Sequence, residues 1–145
     1  MRTGLILSMA IVFATTAFAH NGVKNQAVMT RMDTMGQMKD AIQLMGKMAN
    51  QAIPFDAAKA AQAKADMIAA TSRIAIEFKV EETDPKMEAK PTIWTNWSDF
   101  EVKAMGSVQA AQNVQTTSLL DLQQSLTPLG DSCSSCHKAY RIKKK

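Results

Sequence analysis

Residues 122–140 read LQQSLTPLGDSCSSCHKAY, and the spacing of their apolar side chains decides the fold class. Leu122, Leu126, Leu129, Cys133, Cys136 and Tyr140 recur at steps of three and four, with His137 beside Cys136. That is the period of one helix face. It predicts a closing helix over residues 118–143, in which Pro128 should kink or loosen the turn before it.

The same period continues upstream. Ser98 opens a third helix, residues 99–116, with Phe100, Ala104, Val108 and Ala111 facing inward. Residues 81–94 lose the pattern, and Pro85 and Pro91 mark a long polar loop. Before it, Asp56 N-caps a second helix reaching Phe78, with Ala60, Ala63, Met67 and Ile74 near one side. A first helix spans residues 23–50 on the stripe Val28, Met35, Met38, Ile42, Met45 and Ala49, and Pro54 closes it. Four amphipathic helices, two short links and one longer one predict an all-α antiparallel four-helix bundle. No repeat or low-complexity tract interrupts the pattern.

Composition agrees. A chain of 145 residues fits one domain, Gly and Pro are few, and 11 methionines supply flexible thioethers to a helical core. Residues 1–19 form a separate unit: Arg2, then the apolar run LILSMAIVFA at residues 5–14, then Ala17-Phe18-Ala19. This is the pattern of a cleaved export signal, too short for a comfortable membrane anchor. The expected mature domain is residues 20–145, with no membrane span, in the periplasm of a bacterium. Without Arg2 the formal charge of +4 becomes +3. Lys138, Arg141, Lys143, Lys144 and Lys145 hold much of the excess. With so few aromatics between them they do not describe a nucleic-acid surface. They fit either a solvated helix end or a docking patch for acidic redox partners.

Cys133-Ser134-Ser135-Cys136-His137 is a C-x-x-C-H sequence, the attachment pattern for c-type haem. Two thiols two residues apart can each reach one vinyl group and form a thioether. The next side chain then brings an imidazole to the iron on the tethered side. A zinc site would need about four ligands, and only His20 is left to add to these. A thioredoxin-like pair would want a strand-to-helix setting. A Cys133–Cys136 disulfide after export is chemically open, although it leaves the adjacent histidine unexplained. The haem reading makes Cys133 and Cys136 the covalent attachments of one haem c and His137 the proximal axial ligand. No serine, cysteine or paired-carboxylate arrangement suggests an enzyme.

The motif lies near the C-terminus of a four-helix pattern, and residues 129–141, LGDSCSSCHKAYR, resemble the closing segment of the cytochrome c′ family, the class II c-type cytochromes. Ile93-Trp94 with Phe100 downstream is similar to that family's approach to its third helix, and Pro54-Phe55-Asp56 to the start of its second. The resemblance covers essentially the whole mature chain, the second helix by pattern alone. It implies a bundle enclosing one covalent haem. In the first helix, Arg31-Met32-Asp33-Thr34-Met35 is similar to the family's arginine followed four residues later by the side chain over the open haem face. By that resemblance Arg31 lies near a haem propionate, and Met35 takes the distal position as iron ligand, as in the low-spin branch. Periodicity alone leaves Met35 as core, leaves Met32 or Met38 as the ligand, or leaves no sixth protein ligand. The resemblance also implies Tyr140 against the haem and Arg141 beside the proximal histidine, where ordinary core packing and a solvated cation are the plainer readings. It implies homodimers through the first two helices. The expected function is one-electron exchange with redox partner proteins; the alternative is an open distal site binding nitric oxide or carbon monoxide.

Overall fold

The computed structural model describes residues 22–143, so the proposed export signal and its cleavage point lie outside the described residues. Six helices follow in order: α1 (Gln26–Ala49), α2 (Ala57–Thr71), α3 (Ile74–Glu77), α4 (Thr92–Thr95), α5 (Trp97–Asn113) and α6 (Leu119–Tyr140). The four long ones form the bundle, and the two single turns belong to the connection between α2 and α5. In the bundle α1 packs on α2 and α6, and α5 packs on α6 and α2.

Local chemistry sets most helix starts. Asn25 caps α1 by accepting from the Val28 amide at 3.1 Å. Asp56 caps α2 through the Lys59 amide at 3.0 Å. Ser118 caps α6 through the Asp121 amide at 3.1 Å. Between the helices, Met45, Met48, Met67, Ile93, Leu122 and Leu129 are fully buried. Alanines at Ala60, Ala63, Ala104 and Ala111 complete the buried faces of α2 and α5.

The structure corrects several expected boundaries. The second helix is not continuous to Phe78: it stops at Thr71 and resumes for one turn at Ile74. The Thr71 hydroxyl donates to the Met67 carbonyl at 2.8 Å, and the Ser72 hydroxyl to the Ile68 carbonyl at 2.8 Å. Adjacent hydroxyls that bond back to the backbone weaken a helix at that point. The third helix begins at Trp97 after Asn96, not after Ser98, because residues 92–95 already form a turn. Ser107, not Val108, takes its inward position. It ends at Asn113 because Val114 is extended and buried and the Gln115 amide turns to the Ser125 hydroxyl at 2.8 Å. The last helix runs through Pro128 and stops at Tyr140, where Arg141 pairs with Ala89 in an isolated antiparallel bridge.

Residues 79–91, expected as a polar loop, act as a belt at one end of the bundle. Asp84 is buried and its carboxylate accepts from the amides of Lys24 and Asn25, at 2.8 and 3.1 Å, and from the Lys86 amide at 2.8 Å. On its other side the belt meets the end of α6: the Lys90 amide donates to the Tyr140 carbonyl at 2.9 Å, and the Ile142 amide to the Glu88 carbonyl at 2.7 Å. Trp94 anchors it from within, its indole N–H donating to the Phe78 carbonyl at 2.8 Å.

Candidate haem site

Cys133, Cys136 and His137 all fall in the last turns of α6. At 100° per residue the three side chains span an arc of about 100°, so one helix face presents both thiols and the imidazole. Both cysteines are free, half-buried and packed against the core. Burial pushes the Cys133 thiol up, and pushes Cys136 up to about 11. Such surroundings make poor thiolates for redox or metal chemistry. They suit uncharged thioether bonds. Among the described residues no three His, Cys, Asp or Glu side chains converge on a point; His20 lies outside the described residues. The residues present fit a haem.

His137 is exposed. Partial removal from water lowers its pKa, the Arg141 cation lowers it further, and Glu88 partly opposes both. The neutral ring, with a nitrogen lone pair to offer, is thereby favoured.

Met35 sits on the α6-facing flank of α1. Ile42, Gly46 and Ala49 of α1 line a groove of about 440 Å³ with Leu126, Thr127 and Gly130 of α6. Seven residues are two turns less about 20°, so Met35 lies in line with Ile42 and Ala49, and His137 in line with Gly130. The Gln123 side-chain amide donates to the Ala49 carbonyl at 2.7 Å, which sets the register of the antiparallel pair. Fourteen residues back from Ala49 is Met35, and fourteen forward from Gln123 is His137. Each count covers about 21 Å at about 1.5 Å per residue. Met35 and His137 therefore stand at about the same height, on facing flanks. Met35 is half-buried against the core, whereas Met38 is buried within it.

The other expected site residues have partners within the protein. Arg31, 4% exposed, donates from Nε to the Glu77 carbonyl at 2.9 Å, from one terminal nitrogen to Glu82 at 3.0 Å, and from the other to Val80 at 2.6 Å. Its guanidinium also covers the rings of Phe78 and Trp94, at 4.8 and 5.4 Å. Burial lowers its pKa, and Glu82 and Glu77 pull it back. Tyr140 is 5% exposed, edge-on to Phe100 at 5.3 Å. Its hydroxyl donates to Asp99 at 2.6 Å and accepts from the Asn96 side-chain amide at 3.1 Å. Arg141 is exposed and pairs with Glu88, its Nε at 2.8 Å and terminal nitrogen at 2.6 Å.

Sequence reasoning missed the polar frame behind α1. Glu77 accepts from the Thr34 hydroxyl at 2.9 Å and from Arg73 at 3.1 Å, next to the position of Met35. The Arg73–Glu77 pair has the i,i+4 spacing a sequence can show, but no local pattern reports its link to Thr34, some 43 residues away. Asp84 was more accessible: an Asp before Pro85 whose side chain bonds the amide two residues on is an Asx turn.

Comparison with known proteins places the fold in a family. Residues 26–141 match the family Cytochrome C'. A cytochrome c-554 from Cereibacter sphaeroides is 35% identical over 121 residues, covering 78% of each chain. Among solved structures, a cytochrome c' from Rhodobacter Spheriodes superposes with a TM-score of 0.75 at 22% identity, covering 81% of this chain and 96% of the other. Oxidised R. palustris cytochrome c556 gives 0.73 at 19% identity, covering 84% and 100%. None of the described helices is long and apolar enough to cross a membrane. With the helical frame, the C-x-x-C-H turn and these matches in agreement, the chain belongs to the cytochrome c′ family of single-haem electron carriers and binds haem c covalently.

Proposed function

We propose that this protein is a low-spin, one-electron carrier in which Cys133 and Cys136 hold the haem, His137 is the proximal axial ligand and Met35 the distal one. Bound haem supplies a ferric–ferrous couple. The single observation behind the axial pair is the α1–α6 register, which puts Met35 level with His137 on the facing flank. A thioether opposite an imidazole favours the ferrous state and raises the potential. Ligands kept in both oxidation states also keep reorganisation small, which suits electron exchange over gas capture. In this reading Arg31, Tyr140 and Arg141 border the haem, with Arg31 using donors beyond the three bonds that hold the belt. Residues 1–19 are an export signal, and the mature protein works in the periplasm with redox partner proteins. A homodimer through α1 and α2 is compatible with this role.

The ferrous absorption spectrum, with and without carbon monoxide, tests the proposal. Sharp, split low-spin bands unmoved by carbon monoxide are expected, and Met35→Ala should turn them high-spin and gas-sensitive. A low-spin spectrum unchanged in Met35→Ala removes Met35 as the ligand. A broad high-spin Soret band in the parent protein selects the five-coordinate, gas-binding alternative. Cys133→Ser with Cys136→Ser should leave bare polypeptide mass and no colour.

A further inference from the structure

The charges of the described chain are unevenly placed. Residues 22–25, 79–91 and 137–143 meet at one end of the bundle through the Asp84 and Glu88 contacts. That end holds seven Lys and Arg against four carboxylates, while the rest of the described chain holds seven against nine. Lys24, Lys79, Lys86 and Lys90 come from the belt side, and all but Lys90 are exposed. Lys138, Arg141 and Lys143, all exposed, come from the tail of α6, which continues in sequence with Lys144 and Lys145. Two of the four carboxylates turn inward, and a third is paired at the surface. Asp84 is buried on backbone amides, half-buried Glu82 accepts from the Asn25 side chain at 2.9 Å, and half-buried Glu88 holds Arg141. The formal excess at this end is three positive charges, seven less four. His137 lies in the same stretch of chain, and Ile142, 46% exposed, lies between Arg141 and Lys143.

We propose that this end of the bundle is the docking face for a redox partner protein that presents clustered Asp and Glu side chains beside its own redox centre. A positive face on a body whose other half is net negative orients the molecule as it approaches an acidic surface. Ile142 offers an apolar contact inside a charged rim, the usual anatomy of a transient interface. Cys133, Cys136 and His137 lie in the last turns of α6 beside this face, which makes it a short route to the tethered haem. The exchange moves one electron and no atoms: the partner loses what this protein gains. The proposal rests on the electron-carrier reading.

Stopped-flow oxidation of the ferrous holoprotein tests it with two one-electron oxidants of opposite charge, ferricyanide and tris(phenanthroline)cobalt(III). Rising salt should slow the first and speed the second. Lys86→Gln/Lys138→Gln/Lys143→Gln, checked for an unchanged absorption spectrum, should slow ferricyanide about threefold or more at low salt and match the parent at high salt. Lys39→Gln/Lys47→Gln/Lys59→Gln, elsewhere on the bundle, should change that rate less than about 1.5-fold. Equal slowing by both sets means that net charge alone acts, and overturns the docking face; so does a ferricyanide rate indifferent to salt. A holoprotein oxidised by neither probe refutes the carrier reading instead. Amide shifts on titration with deca-glutamate should gather in residues 79–91 and 138–143, and shifts centred elsewhere also overturn the face.

Discussion

The two ends of the bundle are held by different physics. Where α1 ends and α6 begins, the contacts are mainly apolar: Met45, Met48 and Leu122 are fully buried beside the Gln123–Ala49 hydrogen bond. The end that carries the C-x-x-C-H turn is laced with directional bonds instead. Arg31 ties three carbonyls, Asp84 gathers three amides, Tyr140 bonds Asp99, and Glu88 holds Arg141. Apolar packing sets a distance but tolerates sliding and repacking. Hydrogen bonds between buried groups fix a rotation, because an unmade one costs about 1–3 kcal/mol. An axial pair on two helices needs the second kind of control, since turning α1 by one residue would carry Met35 out of line with His137.

Arg31 offers the sharpest way to break this contrast. Arg31→Met keeps an apolar stem of similar length but removes every donor to the Glu77, Val80 and Glu82 carbonyls. The holoprotein should lose about 4 kcal/mol of unfolding free energy, read from denaturant midpoints. Amides in residues 77–82 should exchange faster than the global loss explains. At the opposite end, Leu122→Ala should cost about 3 kcal/mol through a cavity and leave exchange in residues 77–82 falling only in step with global stability. If both variants loosen residues 77–82 alike, the two ends are not separately held.

The same division separates what the chain reveals from what it hides. All four long helices are legible because each repeats an apolar side chain every three or four residues, and Asp56 marks the start of α2 by local capping. The motif Cys133, Cys136 and His137 is legible because its chemistry is contained in five consecutive positions. The break at Thr71 was hidden, since hydroxyl back-bonding competes with an apolar stripe that runs on to Phe78. The belt was hidden for a different reason. Asp84 and Glu88 act on groups some 60 and 50 residues away, and no local pattern reports such a pairing. Arg31 was selected by family resemblance; its hold on the belt became visible only when α3 and residues 79–82 closed over it.

Tyr140 gives an effect of middle size with a definite direction in pH. Burial and then the Asp99 carboxylate push its pKa up to about 12. The folded state thus keeps the phenolic proton more firmly than the unfolded chain does. That stabilisation is complete below the ordinary tyrosine value near 10 and drains away as pH climbs through about 12. Tyr140→Phe should cost about 1.5 kcal/mol at neutral pH and flatten the loss of stability between pH 9 and 11, followed by denaturant midpoints across that range. A variant as alkali-sensitive as the parent would place the titrating group elsewhere. The Asp84 carboxyl works in the opposite direction: bonds from the Lys24, Lys86 and Asn25 amides hold it below the usual carboxylate range. Its contribution is present above pH 4 and fades as pH falls further, so Asp84→Asn should blunt the acid limb.

The smallest effect is expected at the most conspicuous ion pair. Arg141 meets Glu88 with two nitrogens on one oxygen, but the arginine side chain is 53% exposed. Exposed pairs gain little over hydration and lose it in salt, so Glu88→Gln should cost about 0.5 kcal/mol in dilute buffer and nothing measurable at high salt. The backbone bridge between Ala89 and Arg141, with the Lys90 and Ile142 amides beside it, should hold the belt to α6 without the charge. Exchange of those two amides measures this directly. If they lose protection in Glu88→Gln while the global midpoint stays put, the clip at the haem end is electrostatic and the directional frame described for that end stops at Tyr140. If they stay protected, the hydrogen-bonded backbone secures the tail of α6 next to His137, and the ion pair is a surface ornament of it.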